Sequence, residues 1–106
     1  MEQLIIYISC PAGNEDKTEN AIAYTRLVYK MGHTPITPQI YFDRFADLEE
    51  DGVKEIRKYL ISMCDEMWTF DDEDEYMAFD ISTAVLSGIR VYEGRDKLDC
   101  RNKNRQ

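Results

Sequence analysis

Five acidic residues in a row, Asp71-Asp72-Glu73-Asp74-Glu75, close the apolar segment Met67-Trp68-Thr69-Phe70, and a further carboxylate, Asp80, follows within the next helix. Asp80 stands three residues after Met77 and four before Ala84, which puts it at the edge of that helix's apolar face. Aspartate is a weak helix former, so it is a poor choice for a neutral surface position there. In open α/β folds, ligands bind where a parallel strand ends and the next helix begins. A carboxylate at that edge is a candidate for chemistry. The run before it also has a plain structural use, because acids in the first turn of a helix are stabilised by its dipole. Consecutive residues rarely turn enough oxygens inward to hold a hard cation, so no metal site is expected.

The elements that must position these residues alternate between strand and helix. Leu4-Ile5-Ile6-Tyr7-Ile8 is the continuous apolar, β-branched run of a strand buried on both faces, and it ends in the small-residue turn Ser9-Cys10-Pro11-Ala12-Gly13-Asn14. A helix beginning between Asn14 and Thr18 carries a stripe of Ala23, Leu27 and Met31, with Tyr24 and Val28 beside it, and stops at Gly32. Pro35 and Pro38 allow only a short second strand, then a shaped loop with one helical turn over residues 43–47. Val53, Ile56, Leu60 and Cys64 mark a second amphipathic helix, with Lys54, Arg57 and Lys58 outside. The third strand is Met67 to Phe70, and the fourth is Ile89-Arg90-Val91-Tyr92 after Gly88. Strands separated by helices need crossovers, so the sheet is expected to be parallel and covered on both faces.

The chain of 106 residues suits one domain. A net charge of −8 argues against a nucleic-acid polymer as partner, since such binding draws on clustered cations. No apolar run approaches a membrane span, and Met1-Glu2-Gln3 is not the start of a signal peptide, so a cytoplasmic location is expected. Cys10, Cys64 and Cys100 are odd in number and widely spaced, which reads as thiols rather than a disulfide framework or a zinc site. Residues 94–106 are polar and aperiodic and read as a mobile tail beyond a globular part ending at residue 93.

Taken in order, Tyr7-Ile8-Ser9-Cys10-Pro11, then Asn20 and Tyr24, then Gly32-His33-Thr34-Pro35-Ile36-Thr37-Pro38, then Cys64-Asp65-Glu66-Met67-Trp68-Thr69-Phe70, then Met77, Asp80, Ala84 and Gly88-Ile89, the sequence resembles the nucleoside 2-deoxyribosyltransferase-like proteins over roughly residues 4 to 92. It looks closest to a small branch of uncharacterised bacterial and phage domains. The resemblance implies a Rossmann-like three-layer α/β sandwich with a parallel sheet of four or five strands. It also implies cleavage or transfer at an N-glycosidic bond of a nucleoside or nucleotide, with no metal or redox cofactor. Asp80 falls at the position of the carboxylate nucleophile, Asp74 near the departing base, and Tyr7 where a tyrosine holds the nucleophile. Ser9, Cys10, Pro11, Gln39, Asp65, Tyr76 and Met77 fall where ligand is bound. One carboxylate would trap an oxocarbenium-like carbon while a second, protonated, assists the leaving group. A homo-oligomer is implied as well, for which Tyr41, Phe42, Phe45 and Phe79 are available.

The sequence departs from that family at informative places. Aspartate stands where glutamate is usual, withdrawing the oxygens by roughly 1.5 Å, the length of one carbon–carbon bond. Tyr76 replaces a favoured glycine, Gln39 replaces a histidine, and acid fills a turn where glycine or serine would serve a phosphate. The aspartate at position 80 and Tyr76 favour an alternative, a non-catalytic, signal-sequestering nucleotide-binding protein of the same fold, while the retained order of acids favours cleavage or transfer, the leading reading. A third reading is a remnant of the fold that binds no ligand.

Overall fold

The computed structural model describes residues 2–42 and 47–98. Its elements are β1 (Ile5–Ser9), α1 (Glu15–Lys30), β2 (Thr34–Ile36), α2 (Gln39–Phe42), α3 (Glu50–Ser62), β3 (Glu66–Thr69), α4 (Glu75–Leu86) and β4 (Arg90–Glu93). The four strands form one sheet in the order β2-β1-β3-β4 with every pairing parallel, as the alternation of strands and helices requires. Alternate residues of each strand face opposite sides. Ile6, Ile8, Trp68 and Phe70 pack with Ala21 and Val28 of α1, while Tyr7 and Met67 pack with Ile61 and Cys64 below α3 and Ala84 of α4. The chain therefore has the expected three-layer α/β fold.

Local signals explain the boundaries. Asn14 caps α1 by accepting a hydrogen bond from the Lys17 N–H at 2.9 Å, and Gly32 leaves the helix at a φ of 94°, where a side chain would be strained. The buried face of α1 is Thr18, Ala21 and Val28 rather than a stripe through Ala23, which is exposed. Tyr24 and Met31 of the expected set pack against this core, and Thr25 bonds the Ala21 carbonyl and the Thr37 hydroxyl. Gln39 opens α2 directly after Pro38, a position that suits proline's fixed φ, and residues 43–46 of the expected later turn lie outside the described residues. Cys64 is a buried thiol donating to the Leu60 carbonyl, and burial pushes its pKa up to about 12.

Two expectations meet a different outcome. Arg57 is not on the outer side of α3: it is 2% exposed, while Ile56 is 44% exposed. Nor does the ordered chain stop at residue 93, since residues 94–98 wind into a helical turn. Leu98 packs on the α1-side core, and the Lys97 ammonium sits 3.8 Å over the Tyr92 ring and 3.6 Å from Glu66. Residues 99–106 of the expected tail lie outside the described residues.

Candidate functional site

Residues Tyr7 and Ser9 lie two apart on β1 and so share the face covered by α3 and α4. Asp80, on the second turn of α4, comes down onto both. Ser9 Oγ donates to Asp80 Oδ2 at 2.8 Å, and the Tyr7 hydroxyl donates to Oδ1 at 3.3 Å. Arg57 reaches in from α3: its Nη1 donates to Asp80 Oδ2 at 2.7 Å and to the Tyr7 oxygen at 3.2 Å, and its Nη2 donates to Gln39 Oε1. None of these five side chains is more than 4% exposed, and Asp80 and Tyr7 are fully buried. The rings of Phe42 and Tyr76 lie 5.4 and 5.2 Å from the guanidinium carbon, so the cation sits against two aromatic groups.

Burial raises the Asp80 carboxyl above its ordinary value, opposed by the charge of Arg57 and by hydrogen bonds from Ser9, Arg57 and Tyr7. Burial acts against the charge on Arg57 too, yet Tyr7 and Asp80 outweigh it and hold the guanidinium above its ordinary value. With a charge-assisted contact of 2.7 Å between them, the two form an ion pair. The same burial pushes the Tyr7 hydroxyl well up, so it stays a donor. A carboxylate in this state is held firmly in one orientation but offers no oxygen to the surface.

The other residues named from sequence have separate places. Asp74 caps α4, its Oδ1 accepting from the Met77 N–H at 2.8 Å, while Oδ2 accepts from the Ala12 N–H at 3.1 Å in the turn after β1. Both oxygens thus tie the two carboxyl-edge loops together, and Met77 is buried beneath them. Asp74→Ala is expected to cost about 1–2 kcal/mol for the lost cap, read as a lowered melting temperature. Cys10 is buried and Pro11 half-buried in that same turn. Asp65 stands at the start of β3, where it accepts from the Ile5 N–H at 2.7 Å. In a parallel sheet that is the edge opposite the carboxyl ends, so Asp65 does not converge with Asp80. Of the residues named for oligomer contacts, Phe42 faces Arg57, Phe79 lies under Lys54, Tyr41 is exposed, and Phe45 is outside the described residues.

Arg57 was missed by sequence reasoning, although its place four residues after Val53 and four before Ile61 marks the inner face of the helix. A separate cavity of about 550 Å³ opens at the carboxyl ends of β3 and β4, lined by Tyr24, Phe70, Asp71, Asp72, Glu93 and Arg95 among others. There Tyr24 stacks on Phe70 at 4.3 Å and donates to Asp71, which holds a left-handed φ of 64°. Among the described residues, no group of His, Cys, Asp and Glu is placed to hold a metal ion, and no helix is long and apolar enough to cross a membrane.

A family model described as Domain of unknown function (DUF7768) matches residues 4–93. No curated protein matches the chain. Among solved structures, a 2-deoxyribosyltransferase from the psychrotolerant bacterium Bacillus psychrosaccharolyticus superposes with a TM-score of 0.65 over 82% of this chain and 69% of that one, at 19% sequence identity. At that identity the likeness is one of fold.

Proposed function

The chain belongs to that family of unknown function, and from this premise we propose that it is a nucleoside- or nucleotide-binding protein built on the 2-deoxyribosyltransferase fold, with Asp80 as a structural charge rather than a nucleophile. The observation that carries this is the closed state of Asp80, fully buried and paired with Arg57 at 2.7 Å. A nucleophile must come within roughly 3–3.5 Å of the carbon it attacks, and no substrate atom reaches an oxygen covered in this way. The ligand class rests on the fold likeness. Topology supports a place for the ligand: strand order reverses between β1 and β3, and open α/β sheets bind ligands beyond the carboxyl ends at such a point, here near Pro11 and Tyr76.

One observation favours a second reading, N-glycosidic cleavage or transfer. Tyr7 donates to Asp80, as the resemblance implies for the tyrosine that holds a nucleophilic carboxylate. For that chemistry, Phe42 or Tyr76 must swing away and Arg57 must release the carboxylate. Asp74, already committed to two backbone donors, would have to leave its cap to act as acid or base.

Both readings are tested on one panel of 2′-deoxynucleosides and their 5′-monophosphates. Calorimetry is expected to detect binding of at least one member, while mass spectrometry detects no free base. Base release that vanishes in a folded Asp80→Asn variant would replace the binding reading with the catalytic one. Absence of both binding and release would remove both.

A further inference from the structure

Arg57 holds a donor that its surroundings do not use. A guanidinium carries five N–H groups. Here the acceptors are the Asp80 carboxylate, the Tyr7 oxygen and Gln39 Oε1, and Nε is buried with no partner among the described residues. Leaving a buried donor unmade costs about 1–3 kcal/mol, and more on a charged group. Asp80 already balances the charge, so what the group lacks is an acceptor and not an anion. The neighbourhood agrees: Tyr76, whose ring lies against the guanidinium, directly follows the acidic residues 71–75, which would repel a phosphate.

Resting on the nucleoside reading above, the geometry points to Arg57 as the residue that reads the base, its Nε–H and spare Nη2–H donating to two adjacent neutral acceptors on one edge of a nucleobase. Guanine offers N7 and O6 in this way, and cytosine offers N3 and O2. Adenine and thymine alternate donor with acceptor along each edge and cannot take both hydrogens. The base reaches this edge only when Phe42 or Tyr76 moves off the guanidinium, while Arg57 stays on Asp80 and keeps its carboxylate covered. Asp80, Tyr7 and Gln39 keep the fork in one plane during that movement, which is a use for a buried ion pair beyond stability.

Calorimetric titration of the full chain with deoxyguanosine, deoxycytidine, deoxyadenosine and thymidine tests this. The first two are expected to bind about tenfold or more tighter than the last two, with no gain from a 5′-phosphate. In a folded Arg57→Lys variant, which keeps the charge beside Asp80 but loses the fork, the preference is expected to flatten. NMR of the wild-type protein gives a readout independent of any variant: the Arg57 Nε–H resonance should shift with deoxyguanosine and stay put with deoxyadenosine. Equal affinity for all four nucleosides, a preference that survives in folded Arg57→Lys, or binding that requires the phosphate would overturn the inference and leave the nucleoside or nucleotide reading intact. Binding by no member of the panel would overturn both.

Discussion

Arg57→Met is expected to destabilise the domain by about 3–5 kcal/mol, because it leaves the fully buried Asp80 carboxyl without its counter-ion. For a domain near this size each kcal/mol moves the melting temperature by about 4–8 °C, so a drop on the order of 12–40 °C should appear in a circular-dichroism melt. The size of the effect comes from burial: the same pair on the surface would be worth no more than about 1 kcal/mol. The double variant Arg57→Met with Asp80→Leu removes both charges and is expected to recover most of the loss, since well-packed apolar replacements of buried pairs are often neutral. A double variant no more stable than Arg57→Met would show that the stabilisation lies elsewhere in the cluster.

Gly94→Ala should be the next most damaging change. A Cβ at that position would lie 2.2 Å from the Phe70 ring, and the ring has little freedom to retreat because Tyr24 is stacked on it at 4.3 Å. Overpacking of this kind costs about 1–3 kcal/mol, which outweighs the gain of up to about 1 kcal/mol that alanine usually brings to a helical position. A lowered urea midpoint with an unchanged slope is the expected signature. Phe70→Leu in the same chain should restore part of the loss by vacating the ring's place. A midpoint equal to that of the wild type would mean that the turn over residues 94–98 shifts freely on the sheet.

The sequence carries the fold more openly than the site. The run Leu4-Ile5-Ile6-Tyr7-Ile8 and the helix-length spacers force a parallel sheet, and period-two alternation on β1 alone sets Tyr7 and Ser9 on one face. Asp80 at the apolar edge of its helix was likewise legible from its distance to Met77 and Ala84. Arg57 was overlooked because a cation between Lys54 and Lys58 reads as a solvated face, although its spacing of four from both Val53 and Ile61 points inward. Asp65 precedes β3, so a parallel sheet already puts it at the edge opposite the carboxyl ends; only its bond to the Ile5 N–H, 60 positions away, left no trace in the sequence. The turn over residues 94–98 escaped because its anchors, Lys97 on Tyr92 and Leu98 on the core, are tertiary and leave no periodic trace.

The cluster around Asp80 draws on β1, α2, α3 and α4, and its hydrogen bonds join residues 73, 71, 50, 23 and 18 positions apart. Any partly assembled chain in which one of these elements has not docked must hold a buried charge or hydroxyl unpaired, or keep that region hydrated. Intermediate states are thereby raised in energy relative to both the native and the fully open chain. A few polar atoms at the centre of the domain thus couple the docking of β1, α2, α3 and α4 to one another.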